Sequence, residues 1–274
     1  MKDLKIAFIG GGNMARSLIS GLIKSGYDRE LISVSNRSEG KLTALSRDFG
    51  IKTSLDNYEI AKDAELIVLA VKPQFMAEML EKLTADIKDY QNKLIISLAA
   101  GVTIERLSSL LNGHKKIVRL MPNTPALIGY GVTGTFATQD VSEEEKEFTN
   151  RILSAVGKVV WVAREADINT VTAASGSSPA YFFLFMQYMI EHTKELGLNE
   201  DQAKELVVQT ALGAAQMAIK NPDVTLEELR AQVTSKGGTT FAAISKFEEL
   251  NLKVSVYKAM DACIARAEEM QKLF

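Results

Sequence analysis

The stretch FIGGGNMA, Phe8–Ala15, decides the fold. An apolar run at 4–9 leads into it, and apolar residues recur at helical spacing behind it. Gly10, Gly12 and Ala15 match the pattern G-x-G-x-x-A. Such glycines make a tight turn, let the backbone approach a pyrophosphate and expose amides at a helix N-terminus. The stretch predicts a dinucleotide site in a strand–turn–helix unit, with a glycine turn that merely starts a helix as the alternative.

Short apolar runs alternate with helical patterns through the first half of the chain. Near-continuous apolar runs suit strands that are buried on both faces of a parallel sheet. We therefore expect an α/β domain with a Rossmann-type doubly wound sheet over residues 1–163. Gly26 is expected to end the first helix, and Pro73 to begin another. The predicted strands lie at 4–9, 31–35, 66–71, 93–99, 116–121, 131–138 and 157–163.

The second half of the chain has a different pattern. Beyond about residue 163 the strand-like runs stop, and helical periodicity predicts an all-α domain over residues 164–274. Long apolar helices often form the core of a dimer, so we expect this region to be a dimerisation domain. The predicted helices lie at 167–196, 200–220, 226–233 and 240–273, the last of them in one or two pieces.

The composition limits the classes of function. A formal net charge of -2 gives no electrostatic support for binding nucleic acid or an anionic membrane. The single cysteine, Cys263, cannot form an internal disulfide and fits a reducing compartment. The N-terminal apolar run is too short for a signal peptide, and no later run approaches the length of a membrane span. We expect a cytoplasmic protein.

The end of the second predicted strand bears on the choice of dinucleotide. An acidic residue there would hold the ribose 2′-hydroxyl of NAD. This chain has Ser35, Asn36, Arg37 and Ser38 instead, and an arginine among hydroxyl groups suits a 2′-phosphate. The residues favour NADPH, with NADH as the second possibility. A solvated turn is the alternative, because Asn and Ser are common turn residues.

The chain offers little for acid–base, nucleophilic or metal catalysis. Its two histidines, His114 and His192, belong to no metal-binding pattern, and no serine–histidine–aspartate order can be assembled. We therefore expect no metal site. What remains are polar stretches that contain proline or glycine, and these suit a site that positions a cofactor and a small anion. They are AVKPQ (70–74), SLAAG (97–101), RLMPNTP (119–125), SGSSPAY (175–181) and VTSKGGTT (233–240).

In order and spacing, these stretches resemble the pyrroline-5-carboxylate reductase family over nearly the whole chain. The last two are the most specific, because G-x-G-x-x-A and VKP occur in many related reductases. The resemblance implies an NADPH- or NADH-binding Rossmann domain and a helical domain that interleaves with its partner in a homodimer. It also implies larger rings of dimers, such as a decamer. The implied reaction reduces L-1-pyrroline-5-carboxylate to L-proline, the last step of proline biosynthesis.

The resemblance also implies roles for individual residues. The stretch VTSKGGTT (233–240) forms a second glycine loop, after the one at Gly10–Gly12. This second loop is expected to hold the substrate carboxylate, with Thr240 as the catalytic residue that hydrogen-bonds the ring nitrogen. The implied substrate-binding residues are Val233, Ser235, Gly237, Gly238, Thr239 and Thr240. The implied cofactor-binding residues are Ile9, Gly10, Gly11, Gly12, Asn13, Met14, Ser35, Asn36, Arg37, Asn57, Ala70, Val71, Lys72, Pro73, Ala99 and Ala100.

Two positions depart from the family pattern, and two other classes of protein compete with it. Lys236 stands where the family usually has proline, and Ser178 where it usually has glycine, which bears on loop rigidity and substrate affinity.

Another imine reductase or a β-hydroxyacid dehydrogenase would share the architecture. The dehydrogenase is expected to need a lysine early in the second domain, where none precedes Lys194. A non-catalytic NADP-binding sensor would leave the second glycine loop unexplained.

Overall fold

The computed structural model describes residues 2–87 and 90–273, and the chain divides into two compact units. The first comprises Met1–Ser177 with Cys263–Phe274, and the second is Ser178–Ala262. The last strand ends at Trp161, close to the boundary expected between residues 163 and 164. As a division into domains, that boundary stays a prediction.

A mixed sheet forms the centre of the first unit. Its strands are β1 (Ile6–Ile9), β2 (Ile32–Ser35), β3 (Lys52–Ser54), β4 (Leu66–Leu69), β5 (Leu94–Ser97), β6 (Ile117–Met121), β7 (Gly131–Ala137) and β8 (Gly157–Trp161). They lie in the order β3-β2-β1-β4-β5-β6-β7-β8. The strands from β3 to β6 in this order are parallel, which is the doubly wound order of a Rossmann fold. β7 runs antiparallel to β6, and β8 runs parallel to β7.

Every run predicted as a strand forms one, and the doubly wound class is confirmed. β3 was not predicted, because this three-residue edge strand is polar and partly exposed. β1 shows why the buried strands are apolar throughout. Ile6 and Phe8 pack in one hydrophobic cluster, whereas Ala7 and Ile9 pack in another, so successive side chains are buried on opposite faces of the sheet.

Helices cover the sheet of the first unit, and their ends follow the predicted signals. Gly26 follows the first helix with a φ of 89°. Pro73 begins a 3₁₀ turn, Pro73–Phe75, that leads into the fourth helix. The helices are α1 (Asn13–Lys24), α2 (Glu39–Phe49), α3 (Asn57–Ala61), α4 (Met76–Asp86), α5 (Ile104–Leu110), α6 (Glu143–Ser154) and α7 (Asp167–Val171).

The second unit is built from helices. They are α8 (Ser178–Glu195), α9 (Glu200–Lys220), α10 (Leu226–Gln232), α11 (Thr239–Glu249) and the first part of α12 (Leu252–Leu273). The pattern at 167–196 divides into α7, a π-helical turn at Thr172–Gly176 and α8. Pro179 lies in the first turn of α8, where the missing amide costs no helical hydrogen bond. No helix in the described part of the chain has both the length and the apolar character needed to cross a bilayer.

The second unit buries little of its apolar surface on its own. Among its described residues only Ala203 and Val207 are buried. Phe182, Phe183 and Tyr188 on α8 are 68%, 63% and 58% exposed. Aromatic side chains exposed to this extent normally mark a surface that packs against another protein chain. The exposed apolar surface therefore agrees with the expected dimerisation role.

His114 is a buried titratable group in the first unit. It is 1% exposed, with Nε2 at 3.1 Å from the Lys116 carbonyl oxygen and Nδ1 at 3.3 Å from Oε1 of Gln91. Burial lowers the pKa of His114 below its ordinary value of 6.5. As the pH falls through that value, the unfolded chain takes up a proton that the folded protein resists. Stability is therefore present above this pH and is lost below it.

We expect the free energy of unfolding to decrease as the pH is lowered from about 7.5 to about 5.5, and to decrease less in His114→Gln. The difference in slope is at most about 1.4 kcal/mol per pH unit, the limit for one proton. Denaturant titrations across this range measure it. His192→Gln is the matched control, because His192 is exposed on α8. Parallel pH profiles for wild type and His114→Gln would contradict the expectation.

Candidate functional site

A cleft of about 680 Å³ lies where β1, β2 and β4 end. β1 lies between β2 and β4, so the strand order extends from β1 to one side through β2 and β3 and to the other side through β4 and β5. In doubly wound sheets, ligands bind at the point where the strand order reverses in this way. The cleft is formed largely by residues that the sequence assigns to the cofactor. Those among its lining residues are Ile9, Gly10, Gly12, Asn36, Arg37, Asn57, Ala70, Val71 and Lys72.

The first glycine loop makes a turn that other residues cannot adopt without strain. Gly10 has a φ of 107°, and a Cβ atom there would lie 2.5 Å from the carbonyl oxygen of Ala70. Its N–H donates to the Ser35 carbonyl at 2.9 Å. The turn is therefore pressed between the ends of β2 and β4. This close approach explains the glycine at position 10.

Gly12 opens the N-terminus of α1 to the cleft. It is the N-cap residue with a φ of -77°, no side chain caps the helix there, and the first turn has no acidic residue. A Cβ atom on Gly12 would meet nothing within 4 Å. The first amides of α1 and the positive end of the helix dipole therefore face open space. This arrangement suits a pyrophosphate.

Basic side chains gather where a 2′-phosphate is expected. The guanidinium carbon of Arg37 lies 3.9 Å from the centre of the Phe75 ring, a cation–π contact that holds the exposed side chain in place. Lys41, in the first turn of α2, lines the same cleft, as do Lys72 and Lys82. Sequence reasoning missed Phe75 and Lys41. Their only signal was proximity to Pro73 and Arg37 in the chain.

Some predicted cofactor residues stand behind the surface of the cleft. Ser35 is fully buried, and its hydroxyl donates to Oδ1 of Asn57 at 2.7 Å. Gly11 is also buried, and its N–H donates a hydrogen bond to Oδ1 of Asn36 at 3.3 Å. Ser35 and Gly11 therefore shape the cleft through Asn57 and Asn36. Asn13 and Met14 belong to the first turn of α1, and Pro73 starts the turn before α4.

Ala99 and Ala100 follow β5 at the same edge of the sheet but do not line the cleft. Ala99 is buried, and its N–H donates to the Ser97 hydroxyl oxygen at 3.3 Å. Ala100 is half-buried. Their contact with a dinucleotide stays a prediction, as do the binding roles of the other assigned residues.

The second glycine loop, Val233–Gly238, connects α10 to α11 in the second unit. Gly237 has a φ of 74°, and Gly238 is the N-cap residue of α11. A Cβ atom on Gly238 would lie 2.5 Å from Oγ of Ser235, whose carbonyl accepts the Gly238 N–H at 3.0 Å. As at Gly12, no side chain caps the helix and its first turn has no acidic residue. α11 therefore also presents free amides.

The predicted substrate residues of this loop are accessible. Ser235, Thr239 and Thr240 are exposed, and so are Gly237 and Val233 at the end of α10. Thr240 is the second residue of α11. Within residues 2–87 and 90–273, no hydrogen bond is formed by its hydroxyl group.

The N-termini of α1 and α11 differ in their capping from those of α6, α9 and α10. α6, α9 and α10 each have a capping box, in which side chains accept hydrogen bonds from backbone N–H groups at the start of the helix. The N-termini of α1 and α11 are left to glycines. The described residues contain no cluster of three or more His, Cys, Asp or Glu that could hold a metal. The helix N-termini at Gly12 and Gly238 are thus two candidate anion sites.

Comparison with known proteins identifies the family. A family model described as pyrroline-5-carboxylate reductase dimerisation matches residues 165–270, and one described as NADP oxidoreductase, coenzyme F420-dependent, matches residues 5–101. The chain is 48% identical to the pyrroline-5-carboxylate reductase of Vibrio alginolyticus, with 100% of both chains covered. The chain belongs to the pyrroline-5-carboxylate reductase family. The resemblance inferred from the motifs is confirmed.

Solved structures of pyrroline-5-carboxylate reductases have the same fold along the whole chain. The one from Coxiella burnetii is 42% identical with a TM-score of 0.92, and the match covers 98% of this chain and 99% of that one. The one from Plasmodium falciparum, solved with NADP bound, is 28% identical with a TM-score of 0.86 and 99% coverage of both chains. The Rossmann-type unit and the helices after it are therefore features of the pyrroline-5-carboxylate reductase fold.

Proposed function

We propose that this chain reduces L-1-pyrroline-5-carboxylate to L-proline with NADPH, the last step of proline biosynthesis. The observation that carries the proposal is the second glycine-capped helix N-terminus, at Gly238, in a chain similar over its full length to reductases of this name. Such a terminus favours an anionic ligand, and the dinucleotide phosphates are assigned to the other one, at Gly12. A substrate carboxylate supplies that ligand.

The residues of the first unit bind and orient the cofactor. The amides at the start of α1 hold the pyrophosphate, and Gly12 leaves the space for it. Arg37, stacked on Phe75, and Lys41 hold the 2′-phosphate, which favours NADPH over NADH. When bound, NADPH supplies the hydride.

The residues of the second glycine loop bind the substrate and support protonation of its imine nitrogen. The amides at the start of α11 and the Ser235 hydroxyl hold the carboxylate. The cyclic imine nitrogen is basic enough to be protonated near neutral pH, so hydride addition to the C=N carbon needs no strong protein acid. The Thr240 hydroxyl orients that nitrogen and supports its protonation. The product retains the proton on nitrogen and the hydride on carbon.

The protein is an oligomer, and we propose a homodimer as its basic form. The proposal is supported by the exposed aromatic surface of α8 and by the match to a dimerisation family model. Assembly of dimers into a larger ring, such as a decamer, is a further proposal that sedimentation analysis would test. We also propose that the protein works in the cytoplasm, in line with its single cysteine.

Turnover by the purified protein tests the proposed function. NADPH oxidation and proline formation are measured with L-1-pyrroline-5-carboxylate, and 1-pyrroline, which lacks the carboxylate, is the matched control substrate. We expect turnover of the former and much weaker turnover of the latter. Absence of turnover with both NADPH and NADH would contradict the proposal. Equal use of the two imines would show that the carboxylate is not recognised.

Arg37→Asp is expected to weaken NADPH binding far more than NADH binding. The change removes a charged hydrogen bond worth about 1.5–3 kcal/mol, or roughly ten- to a hundredfold in affinity, and adds repulsion of the 2′-phosphate. NADH lacks that phosphate, so it serves as the internal control. Binding titrations with both dinucleotides measure the effect. Equal losses would show that Arg37 does not meet the 2′-phosphate.

A further inference from the structure

An ion pair between Arg119 and Glu165 lies near the end of β6, among residues given no role so far. Arg119 is the third residue of β6 and its side chain is 2% exposed. Its Nη1 atom lies 2.7 Å from Oε1 of Glu165, which precedes α7. In the sheet, Arg119 pairs with Ser97, the last residue of β5. The pair therefore stands at the strand end from which the loop of Ala99 and Ala100 departs.

Glu165 also holds the far end of that loop. Its Oε1 atom accepts the N–H of Ile104, the first residue of α5, at 2.7 Å. At the near end, the Ser97 hydroxyl oxygen accepts the N–H of Ala99 at 3.3 Å. Loop 98–103 is thus fastened at both ends by polar side chains. The contact at its far end depends on a carboxylate that Arg119 holds in place.

Arg119 is a buried charge, whereas its partner Glu165 is partly exposed, the side chains being 2% and 26% exposed. Taking two charges out of water is expensive, and apolar replacements for buried pairs are often neutral or stabilising. Here the Nε atom of Arg119 is also buried without a hydrogen-bond partner in the described part of the chain. An apolar side chain at this position would avoid both costs. A pair retained despite them fits a role in fixing one conformation.

A second side chain near the end of β6 has a comparable set of contacts. Asn123 is buried; its Nδ2 atom donates to the Ser175 carbonyl at 3.3 Å, and its Oδ1 atom accepts the Val132 N–H at 2.9 Å. Arg119 and Asn123 both belong to the RLMPNTP stretch. Both reach residues that follow β8, so this stretch serves to hold neighbouring segments in register.

We propose that Arg119 and Glu165 are positioning residues that fix loop 98–103 for dinucleotide binding. The charge of Arg119 holds the Glu165 carboxylate, and the carboxylate holds the first amide of α5. The backbone around Ala99 and Ala100 is thereby kept in one conformation. The inference rests on the proposed function in taking NADPH as the cofactor and in the predicted contact of Ala99 and Ala100 with it.

Direct NADPH binding tests this inference without depending on the substrate. Glu165→Ala is expected to raise the Kd for NADPH about tenfold, because a displaced binding loop can cost up to about a hundredfold. Glu165→Gln is expected to keep most of the affinity, because its amide oxygen can still accept the Ile104 N–H. The KM for pyrroline-5-carboxylate at saturating NADPH is expected to change less than about twofold in both variants.

Glu145→Ala is the matched control at the other end of β6. Glu145 pairs with Lys116 at 3.0 Å and lies next to no assigned cofactor residue, so its loss should lower stability and leave the Kd for NADPH unchanged. If Glu165→Ala does not fold, the double variant Arg119→Met/Glu165→Ala replaces it, because no buried charge is left unpaired. A folded variant that binds NADPH like wild type would overturn the inference. Wild-type protein that binds no NADPH would instead contradict the proposed function.

Discussion

Replacing Thr240 by alanine is expected to lower kcat for pyrroline-5-carboxylate about a hundredfold, the lower range for a positioned proton-transfer group. Thr240 is exposed in the first turn of α11, and its hydroxyl is committed to no other described residue. It is therefore available to the ring nitrogen. Steady-state kinetics at saturating NADPH measure the effect. The affinity for NADPH is expected to stay unchanged.

Thr234→Ala is the matched control for Thr240→Ala. Thr234 lies in the same glycine loop, but its hydroxyl already donates to the Arg230 carbonyl at 2.6 Å. The same deletion there is expected to leave kcat within about twofold of wild type. Equal losses in both variants would indicate that the loop is sensitive to any change. An unchanged rate in Thr240→Ala would remove this residue from the catalytic step.

Gly12→Ala is expected to abolish most NADPH binding in a protein that stays folded. The φ of -77° at Gly12 suits alanine, and the added Cβ atom would meet no protein atom within 4 Å. It would instead occupy the space in front of α1 where the pyrophosphate is expected. Losing two hydrogen bonds to the charged phosphates costs at least about 3 kcal/mol, or roughly a hundredfold in affinity. Calorimetric titration with NADPH measures this loss.

Two other glycines serve as controls for Gly12. Gly40→Ala also adds a Cβ atom in open space, but Gly40 lies in α2 and does not itself line the cleft, so affinity should be unchanged. Gly10→Ala should damage the fold itself, because its Cβ atom would lie 2.5 Å from the Ala70 carbonyl oxygen. Undiminished NADPH affinity in Gly12→Ala would mean that the pyrophosphate does not bind at α1.

The fold could be predicted where burial leaves a recognisable run of apolar residues in the sequence. β1 is apolar at every position because both of its faces are covered, and this made the parallel strands visible in the sequence. β3 left no such pattern, since the polar residues Lys52–Ser54 gain little burial at the edge of the sheet. The antiparallel direction of β7 also left none. Strand direction depends on how the chain returns through the 3₁₀ turn at Thr124–Ile128, and single-strand periodicity carries no information about it.

The candidate site could be predicted where it depends on the local backbone conformation. Gly10 and Gly238 were recognisable because tight turns and close approaches demand glycine. The stack of Arg37 on Phe75 and the pair of Arg119 with Glu165 depend on contacts between residues distant in the chain. Ser35 was assigned to the cofactor from its place in the chain, but the hydrogen bond from its buried hydroxyl to Asn57 is visible only in the structure. A sequence indicates which groups are available, but their partners follow from the packing.

The two departures from the family pattern lie at the beginnings of helical segments or next to them. Ser178 is the first residue of α8. Lys236 is exposed and precedes Gly237, so its side chain disturbs no packed neighbour, and the left-handed turn is still made by glycine. A lysine removes the fixed φ that proline would impose. The turn before α11 is therefore kept by Gly237 and by the contact between Gly238 and Ser235.

Isotope transfer tests the central claim most directly. The protein is incubated with pyrroline-5-carboxylate and NADPH that carries deuterium at C4 of the nicotinamide, in each of the two C4 configurations. The account predicts proline with a single deuterium on the former imine carbon, from only one of the two labelled cofactors. Proline that forms without deuterium from either cofactor, or no proline at all, would contradict it.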